Sequence, residues 1–249
     1  MVDGVTPIID RVRKGAAHLL SVVIPVYNEA PYIAEVIERV RRAPLPDGLA
    51  REVVIVDDGS TDGTFTALRS FEHLQDVRIY RSEVNGGKGT AIRQGIEKAA
   101  GDIILIQDAD LEYDPDEHRK LVEPIHEGSA EIVYGSRFRG SIAGMHLANR
   151  IANLILRAMV NTLYGARLTD EATAYKAFRA DIVRGMTFRA RRFEWCPEVT
   201  ALSLRRGYRI TEVPITYRAR SAAEGKKIRW WDLLHAMWTL LRYRFAARV

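Results

Sequence analysis

Asp108 and Asp110 stand two residues apart at the end of an apolar run. In extended backbone, residues i and i+2 point to the same side, so the two carboxylates face one spot and repel there unless a cation joins them. A hard divalent ion such as Mg²⁺ or Mn²⁺ suits that place. It accepts a few carboxylate oxygens and completes its shell with phosphate oxygens and water. Glu112 could add a third oxygen, directly or through water. The same Asp-x-Asp could also be a solvated acidic turn or a pair of helix caps; its position after a central strand favours the metal. A second candidate is Asn85-Gly86-Gly87-Lys88-Gly89. Its amides and the Lys88 ammonium could hold an anion ahead of a helix, or the segment could be a plain turn. Other nucleotide machinery is missing. No Gly-x-x-x-x-Gly-Lys-Ser/Thr loop occurs, and no Gly-x-Gly-x-x-Gly follows the first strand. Phosphoryl transfer from ATP by that route and nicotinamide chemistry are therefore disfavoured.

The elements that must hold these residues alternate. Ser21–Val26 and Val53–Val56 are continuous apolar runs, as strands buried on both faces should be. Pro31 stands at a plausible first helical position, and Ile33, Val36, Ile37 and Val40 follow at helical spacing. Further helices are predicted at 64–71, 90–100 and from Pro115 to Gly128, with strands at Val77–Tyr80, Ile103–Gln107 and Ile132–Tyr134. This repetition with short joints predicts a parallel, doubly wound sheet. Ligands of such sheets bind beyond the carboxyl ends of the strands. The polar clusters Tyr27-Asn28-Glu29, Asp57-Asp58, Asp108 with Asp110, and Gly135-Ser136-Arg137 are all placed there. Beyond residue 140 the alternation weakens. Leu147–Tyr164 reads as an amphipathic helix, Ala174–Phe178 as a short strand and 193–206 as a helix. Tyr208–Tyr217 reads as a strand near an edge because it carries Pro214.

The chain's size suits one α/β domain or two small ones. Its composition, 28% charged and 47% apolar, is that of an ordinary globular protein. A single cysteine, Cys196, points to a reducing compartment. No signal peptide is expected at the start, and no uncharged apolar stretch is long enough to span a bilayer. The net charge is +5, and Arg218, Arg220, Lys226, Lys227, Arg229, Arg242, Arg244 and Arg248 crowd the last stretch against Glu224 and Asp232. Such an end suits an anionic partner, or is a solvated basic face.

Four motifs now stand in order: Val22-Val23-Ile24-Pro25-Val26-Tyr27-Asn28-Glu29, Val56-Asp57-Asp58-Gly59-Ser60-Thr61-Asp62, Gln107-Asp108-Ala109-Asp110-Leu111-Glu112 and Gly135-Ser136-Arg137. With them the chain resembles family 2 glycosyltransferases of the GT-A fold over roughly residues 20 to 245. Within that family it is most similar to the dolichyl- or polyprenyl-phosphate mannose and glucose synthases. The resemblance implies a GT-A, mostly parallel central sheet with helices on both faces and a C-terminal amphipathic helix. The catalytic domain would cover 1–225, with a nucleotide half at about 20–140 and an acceptor half at about 141–225; residues 226–249 would form a membrane-interface segment. The resemblance further implies that Pro25, Tyr27, Glu29, Val56 and Asp58 hold the nucleoside and that Ala109 contacts the donor, which Lys88 would join if its loop holds an anion. Asp108, Asp110 and Glu112 would form the metal site for Mg²⁺ or Mn²⁺, with glutamate where mannose synthases often carry glutamine. Asp110, Arg137 and Arg218 would be catalytic. Arg137, Arg218 or Arg220, and Lys226 or Lys227 would gather the donor and acceptor phosphates. Glu224-Gly225-Lys226-Lys227 departs from the family's Glu-Ser-Lys by a glycine. Asp170 would line the sugar pocket, or be a helix or turn cap.

Other branches of the family place a Glu-Asp pair before the last helix as a base for a sugar hydroxyl. Phe193-Glu194-Trp195-Cys196-Pro197-Glu198 lacks it, and Glu198 reads as structural. A phosphate acceptor is already ionised and needs no base. The missing base thus favours a lipid phosphate over a sugar acceptor, and the resemblance implies as partners a nucleotide-diphosphate sugar, of GDP-mannose or UDP-glucose type, and a polyprenyl or dolichyl phosphate, with inversion at the sugar. In the last stretch, apolar residues at 230, 233, 234, 237, 238, 241 and 245 make one helical stripe with aromatic and basic flanks, as an interfacial or a core-packing helix would. A cytoplasmic protein, peripheral on the inner face of the membrane, is the expectation. The alternatives are a soluble or polysaccharide acceptor, a nucleotide-sugar pyrophosphorylase and a non-catalytic nucleotide-binding module. Tyr27-Asn28-Glu29, where a pyrophosphorylase needs a glycine-rich loop, disfavours the second, and nucleic acid would leave the acidic strand ends unexplained.

Overall fold

A computed structural model describes residues 18–220 and 230–246. Seven strands form one sheet in the order β3-β2-β1-β4-β6-β5-β7. They are β1 (His18–Val26), β2 (Leu49–Asp57), β3 (Val77–Arg81), β4 (Ile103–Ile106), β5 (Ile132–Ala143), β6 (Lys176–Arg179) and β7 (Ile210–Arg218). The helices are α1 (Ile33–Arg42), α2 (Thr64–Arg69), α3 (Lys88–Lys98), α4 (His118–His126), α5 (Leu147–Tyr164), α6 (Ala180–Arg184), α7 (Trp195–Arg205) and α8 (Trp230–Phe245).

The apolar runs do what their composition demands. Val22, Val23, Ile24, Val53, Val54 and Ile55 are wholly buried because side chains on both faces of the sheet meet helices. α1, α2 and α4 cover one face, with Ile33, Val36, Leu68 and Leu121 in its cluster. α3, α6 and α7 cover the other, with Ile92, Ile182, Trp195 and Val199. α3 lies close to the sheet at Gly95, where a Cβ would overlap the Val23 side chain. A third, smaller cluster joins α5, α7 and α8 through Leu156, Val160, Ala201, Ala236 and Leu240. β7 is an edge strand, as Pro214 predicts.

Two details go beyond the expected elements. The sheet is mostly parallel, as the resemblance implies, and the antiparallel strand is β6, which runs against both β4 and β5. Lys176 pairs with Ile106 at the carboxyl end of β4 and Arg179 with Ile103, so the chain enters β6 from the site side and runs back. That entry carries Asp170–Thr173 to the carboxyl edge. Second, β5 does not end at Tyr134. It pairs on through Gly135-Ser136, shifts register, and pairs again with β7 from Ser141 to Ala143, so the Gly135-Ser136-Arg137 cluster lies inside a strand, at a bulge.

Candidate active site

A cleft of about 770 Å³ opens at the carboxyl edge of β1, β2 and β4. Pro25, Val26, Tyr27 and Glu29 reach it from β1, Asp58 from β2, Asn85 to Lys88 from the start of α3, and Asp108, Ala109, Asp110 and Glu112 from β4. The β1 and β2 loops are clamped together. Ser60 Oγ accepts the Asn28 amide (2.9 Å), Thr64 Oγ1 accepts the Glu29 amide (2.9 Å), and Asn28 Oδ1 accepts the Thr61 amide (2.8 Å). Asn28 takes the left-handed conformation (φ 52°), which asparagine tolerates well.

Asp58 is buried and shapes the glycine turn. Its two oxygens accept the amides of Gly86 (2.9 Å) and Gly87 (2.7 Å). Burial pushes this carboxyl up, while the two amides favour its ionised form. Gly87 has φ 92°, and a Cβ there would strike the Arg191 carbonyl, so the turn admits only glycine.

The acidic end of the cleft is neutralised from two directions. Lys88 Nζ lies 2.6 Å from Asp108 Oδ1. Arg220 contributes Nη1 to Glu29 Oε2 (2.9 Å) and Nη2 to Asp110 Oδ2 (2.9 Å). Glu112 accepts the Arg220 amide (2.8 Å) and the Tyr217 hydroxyl (2.8 Å). Leu111, at φ 57°, bends the chain between Asp110 and Glu112 and is a strained position at a functional turn. Burial, then the charges of Asp108 and Glu112, push the Asp110 carboxyl up to about 7, against Arg220 and Lys88. Burial alone would lower Lys88, but the Asp108 carboxylate beside it holds its ammonium above the ordinary value. No group of three His, Cys, Asp or Glu among the described residues is arranged to enclose an ion. The chemistry of the side chains nonetheless fits a hard cation: the carboxylate oxygens of Asp108 and Asp110 face the cleft, with Lys88 and Arg220 supplying the positive charge that a divalent ion would bring.

Several expected site residues sit elsewhere. Val56 is buried in the sheet and does not reach the cleft. Arg137 is buried away from the cleft wall, its Nε and Nη2 each 2.7 Å from Asp170, whose Oδ2 also accepts the Arg137 amide. Asp170 is thus engaged with Arg137 rather than lining a pocket. The Arg218 side chain is exposed and does not line the cleft; its amide donates to the Glu112 carbonyl (2.9 Å). Of the two arginines left open, Arg220 is the one that enters. Lys226 and Lys227 lie outside the described residues.

The cleft also holds Arg191, Arg192 and Phe193, which the motifs did not point to. The signal was present as Arg189-Ala190-Arg191-Arg192, followed by Glu194 and Glu198. Glu198 is structural: it accepts the amides of Arg189 (2.8 Å) and Ala190 (2.9 Å).

A carboxylate-bearing cleft at the carboxyl edge of a mostly parallel sheet is where open α/β proteins bind their ligands. The model of glycosyl transferase family 2 matches residues 21–196, most of the chain, and the chain belongs to that family. It is a glycosyltransferase of the hexosyltransferase kind, with the GT-A fold. It is 29% identical to the UDP-N-acetylglucosamine–dolichyl-phosphate N-acetylglucosaminyltransferase of Methanococcus voltae, over 86% of this chain and 92% of that protein. It is 28% identical to the dolichol-phosphate mannosyltransferase of Pyrococcus furiosus, over 83% of this chain but 58% of that longer protein. To the dodecaprenyl-phosphate galacturonate synthase of Rhizobium johnstonii it is 27% identical, over 83% of this chain and 61% of the relative. Among solved structures, the glucosyl-3-phosphoglycerate synthase of Mycobacterium tuberculosis, in complex with Mn²⁺, UDP and phosphoglyceric acid, superposes with a TM-score of 0.72 at 22% identity, covering 97% of this chain and 84% of that one.

Proposed function

We propose that this glycosyltransferase transfers a hexose, with inversion, from a nucleoside diphosphate sugar to a polyprenyl or dolichyl phosphate at a membrane surface. One observation carries the lipid assignment. Among the described residues, every large exposed apolar side chain except Val84 lies on α5 or α8: Leu147, Ile151, Leu154, Ile155, Trp231, Leu234, Trp238 and Phe245. These two helices pack on each other through Leu156, Val160, Ala236 and Leu240. An apolar face of this kind marks an interaction site. The charges around it are of one sign: Arg150, Arg242 and Arg244 are exposed, α5 has no carboxylate, and Asp232 of α8 is buried. That suits an anionic cytoplasmic leaflet and a peripheral protein on the inner face. No described helix is long and apolar enough to cross a membrane.

The expected stripe of α8 needs correcting in detail. Leu233 and Met237 pack inward against the third cluster, while Leu234, Trp238 and Phe245 face out and Trp231 joins them. The helix is apolar on two sides, so a stripe read from spacing merges the packed side with the exposed one. The side chain of Trp230 lies outside the described residues.

The chemistry follows from the cleft. An acceptor phosphate oxygen attacks the anomeric carbon and the bond to the diphosphate breaks, in one displacement. The acceptor needs no base, and the segment where a base would stand has none to offer. Glu194 accepts the amides of Arg191 (3.0 Å) and Arg192 (3.2 Å), and Glu198 is engaged as above. Asp108 and Asp110 would hold Mg²⁺ or Mn²⁺, which neutralises the leaving diphosphate when bound. Lys88 and Arg220, released from those carboxylates, would turn to phosphate oxygens. The clamped β1 and β2 loops with Asp58 would position the nucleoside.

The test is incubation with GDP-mannose, UDP-glucose and UDP-N-acetylglucosamine, each with polyprenyl phosphate or with 3-phosphoglycerate, in Mn²⁺ or EDTA. Sugar recovered in the organic phase only with metal is the expected result. Transfer to 3-phosphoglycerate alone would replace the lipid by a soluble acceptor.

A further inference from the structure

We infer that Arg191 and Arg192 form an unassigned binding site for the phosphate monoester of the acceptor. The inference rests on the proposed transfer to a phosphate and does not depend on whether a lipid carries it.

Charge pairing in and around the cleft singles these two out. Lys88 is held by Asp108, Arg220 by Glu29 and Asp110, and Arg137 by Asp170. Arg191 and Arg192 line the same cleft with exposed side chains, and neither has an ion-pair partner among the described residues. Two adjacent guanidiniums repel each other and stay together only where the backbone fixes them or an anion is shared.

Here the backbone is fixed. Glu194 takes the amides of both arginines, and Glu198 takes those of the two residues before them. The Thr90 amide in the first turn of α3 donates to the Arg191 carbonyl (3.1 Å). A Cβ on Gly89 would sit 2.8 Å from the Ala190 carbonyl oxygen, so only glycine lets the segment approach α3 this closely. Four consecutive residues, Arg189 to Arg192, are therefore anchored, and two of them, Arg191 and Arg192, bring guanidiniums to the cleft, which suit a phosphate's fork-like geometry. The next residue, Phe193, lies under Lys88 Nζ (5.8 Å), linking this rim to the acidic end.

The donor does not need this pair. On the proposed function Asp108 and Asp110 would hold the metal, leaving Lys88 and Arg220 to face the diphosphate, so the donor's charge would be met by groups already at that end. The second anion to enter, the doubly charged acceptor, is left with Arg191 and Arg192.

The experiment titrates the full chain, saturated with Mn²⁺, separately with UDP or GDP, with citronellyl phosphate and with 3-phosphoglycerate, in wild type, Arg191→Gln/Arg192→Gln and Arg191→Lys/Arg192→Lys. Charge-assisted hydrogen bonds of this kind predict a loss of roughly tenfold or more in affinity for citronellyl phosphate in the Gln variant. The acceptor KM should rise by a similar factor, with partial rescue in the Lys variant and an unchanged nucleotide Kd. A matching loss for 3-phosphoglycerate, if wild type binds it, assigns the site to the phosphate alone; its absence adds the prenyl chain to recognition. Unchanged citronellyl phosphate affinity, a parallel fall in nucleotide affinity, or a wild type that binds neither phosphate overturns the inference. A wild type that binds citronellyl phosphate, with loss in the Gln variant but no sugar transfer at all, leaves this site standing and removes the proposed activity.

Discussion

In β1, β2 and β4 the strands stop at the cleft, and the residues that follow turn straight into it: Tyr27, Asp58 and Asp108 are reached from buried strand ends. In β5, β6 and β7 several charged groups are instead engaged within the protein, although Arg218 at the end of β7 is exposed. Arg137 is locked to Asp170. Lys176, buried, donates to the Glu171 carbonyl (2.7 Å) and lies 3.6 Å from the Tyr134 ring centroid. Glu212 accepts the Thr169 and Asp170 amides. The apolar surface of this second half is on the outside instead, on α5 and α8. One half is thus a cup with an apolar wall and an acidic floor; the other has a polar interior and an apolar skin. On the proposed function, a charged reaction site and a lipid-facing surface need opposite surroundings, and the cleft carboxylates and the exposed apolar face lie on different halves of the sheet.

Matched disruptions of two buried ion pairs test this most strongly. Glu52, at the far end of the nucleotide half, accepts from Arg78 Nη2 (2.6 Å), the Ala100 amide (2.7 Å) and Ser21 Oγ. Asp170 does comparable work for Arg137. Glu52→Ala and Asp170→Ala should each destabilise by about 3–5 kcal/mol, since each leaves a poorly solvated arginine without its carboxylate. Urea denaturation measures the loss. Nucleotide affinity per folded molecule should survive both. Turnover should fall only in Asp170→Ala, because Arg137 lies at the cleft edge of the sheet and Glu52 at the other. Equal turnover loss in both would break the contrast.

Asp110→Asn should lower metal-dependent turnover by about 10²–10³, about 2.7–4 kcal/mol, the range for removing one well-placed group acting on developing charge. Its melting temperature should hold or rise, because the repulsion from Asp108 and Glu112 is relieved. Full activity, or activity indifferent to EDTA, removes the metal assignment.

Asp58→Ala is expected to be milder. It frees the Gly86 and Gly87 amides, and hydrogen bonds to a charged group contribute about 1.5–3 kcal/mol. Calorimetry should show weaker nucleotide binding with turnover at saturating donor little changed. A fall in turnover alone would mean that the glycine turn acts on the transition state and not on binding.

The first half was legible because its rules are local. A strand buried on both faces is a continuous apolar run, and a polar group at its end is at the site. The second half obeys tertiary rules. Residues 174–179 look the same whether the strand runs up or down, so β6's direction could not be read. Gly135 to Gly140 looked like a strand end because a bulge and a paired edge strand look alike in composition. Nothing in the types of Arg137, Arg191 and Arg220 says which carboxylate, if any, each will meet. Asp170 is 33 residues from Arg137, and Arg220 joins Glu29 across 191 residues. Glutamates that accept backbone amides, as Glu194 and Glu198 do, are indistinguishable in sequence from solvated or catalytic ones. Helical spacing found α5 and α8 but not which of their apolar sides is covered.

That last ambiguity yields the prediction with the smallest effect on the fold. Ile151→Ser, Leu154→Ser, Leu234→Ser and Trp238→Ser change exposed positions on both helices and leave Leu156, Val160, Ala236 and Leu240 in place. Each should change stability by no more than about 0.5 kcal/mol, as surface substitutions do. Vesicle binding should respond much more. A fully buried side chain of this size contributes about 1.5–3 kcal/mol, so losing even part of that at four positions should abolish co-sedimentation with vesicles containing anionic lipid. Wild-type binding should weaken in high salt, because Arg150, Arg242 and Arg244 add an electrostatic part that salt screens. Substituting the α5 pair alone should weaken binding about as much as the α8 pair alone, since both helices contribute to one face. If only the α8 pair matters, the membrane contact is one helix. If the quadruple variant unfolds, the face is core and the division of the molecule into a cup and a platform is wrong.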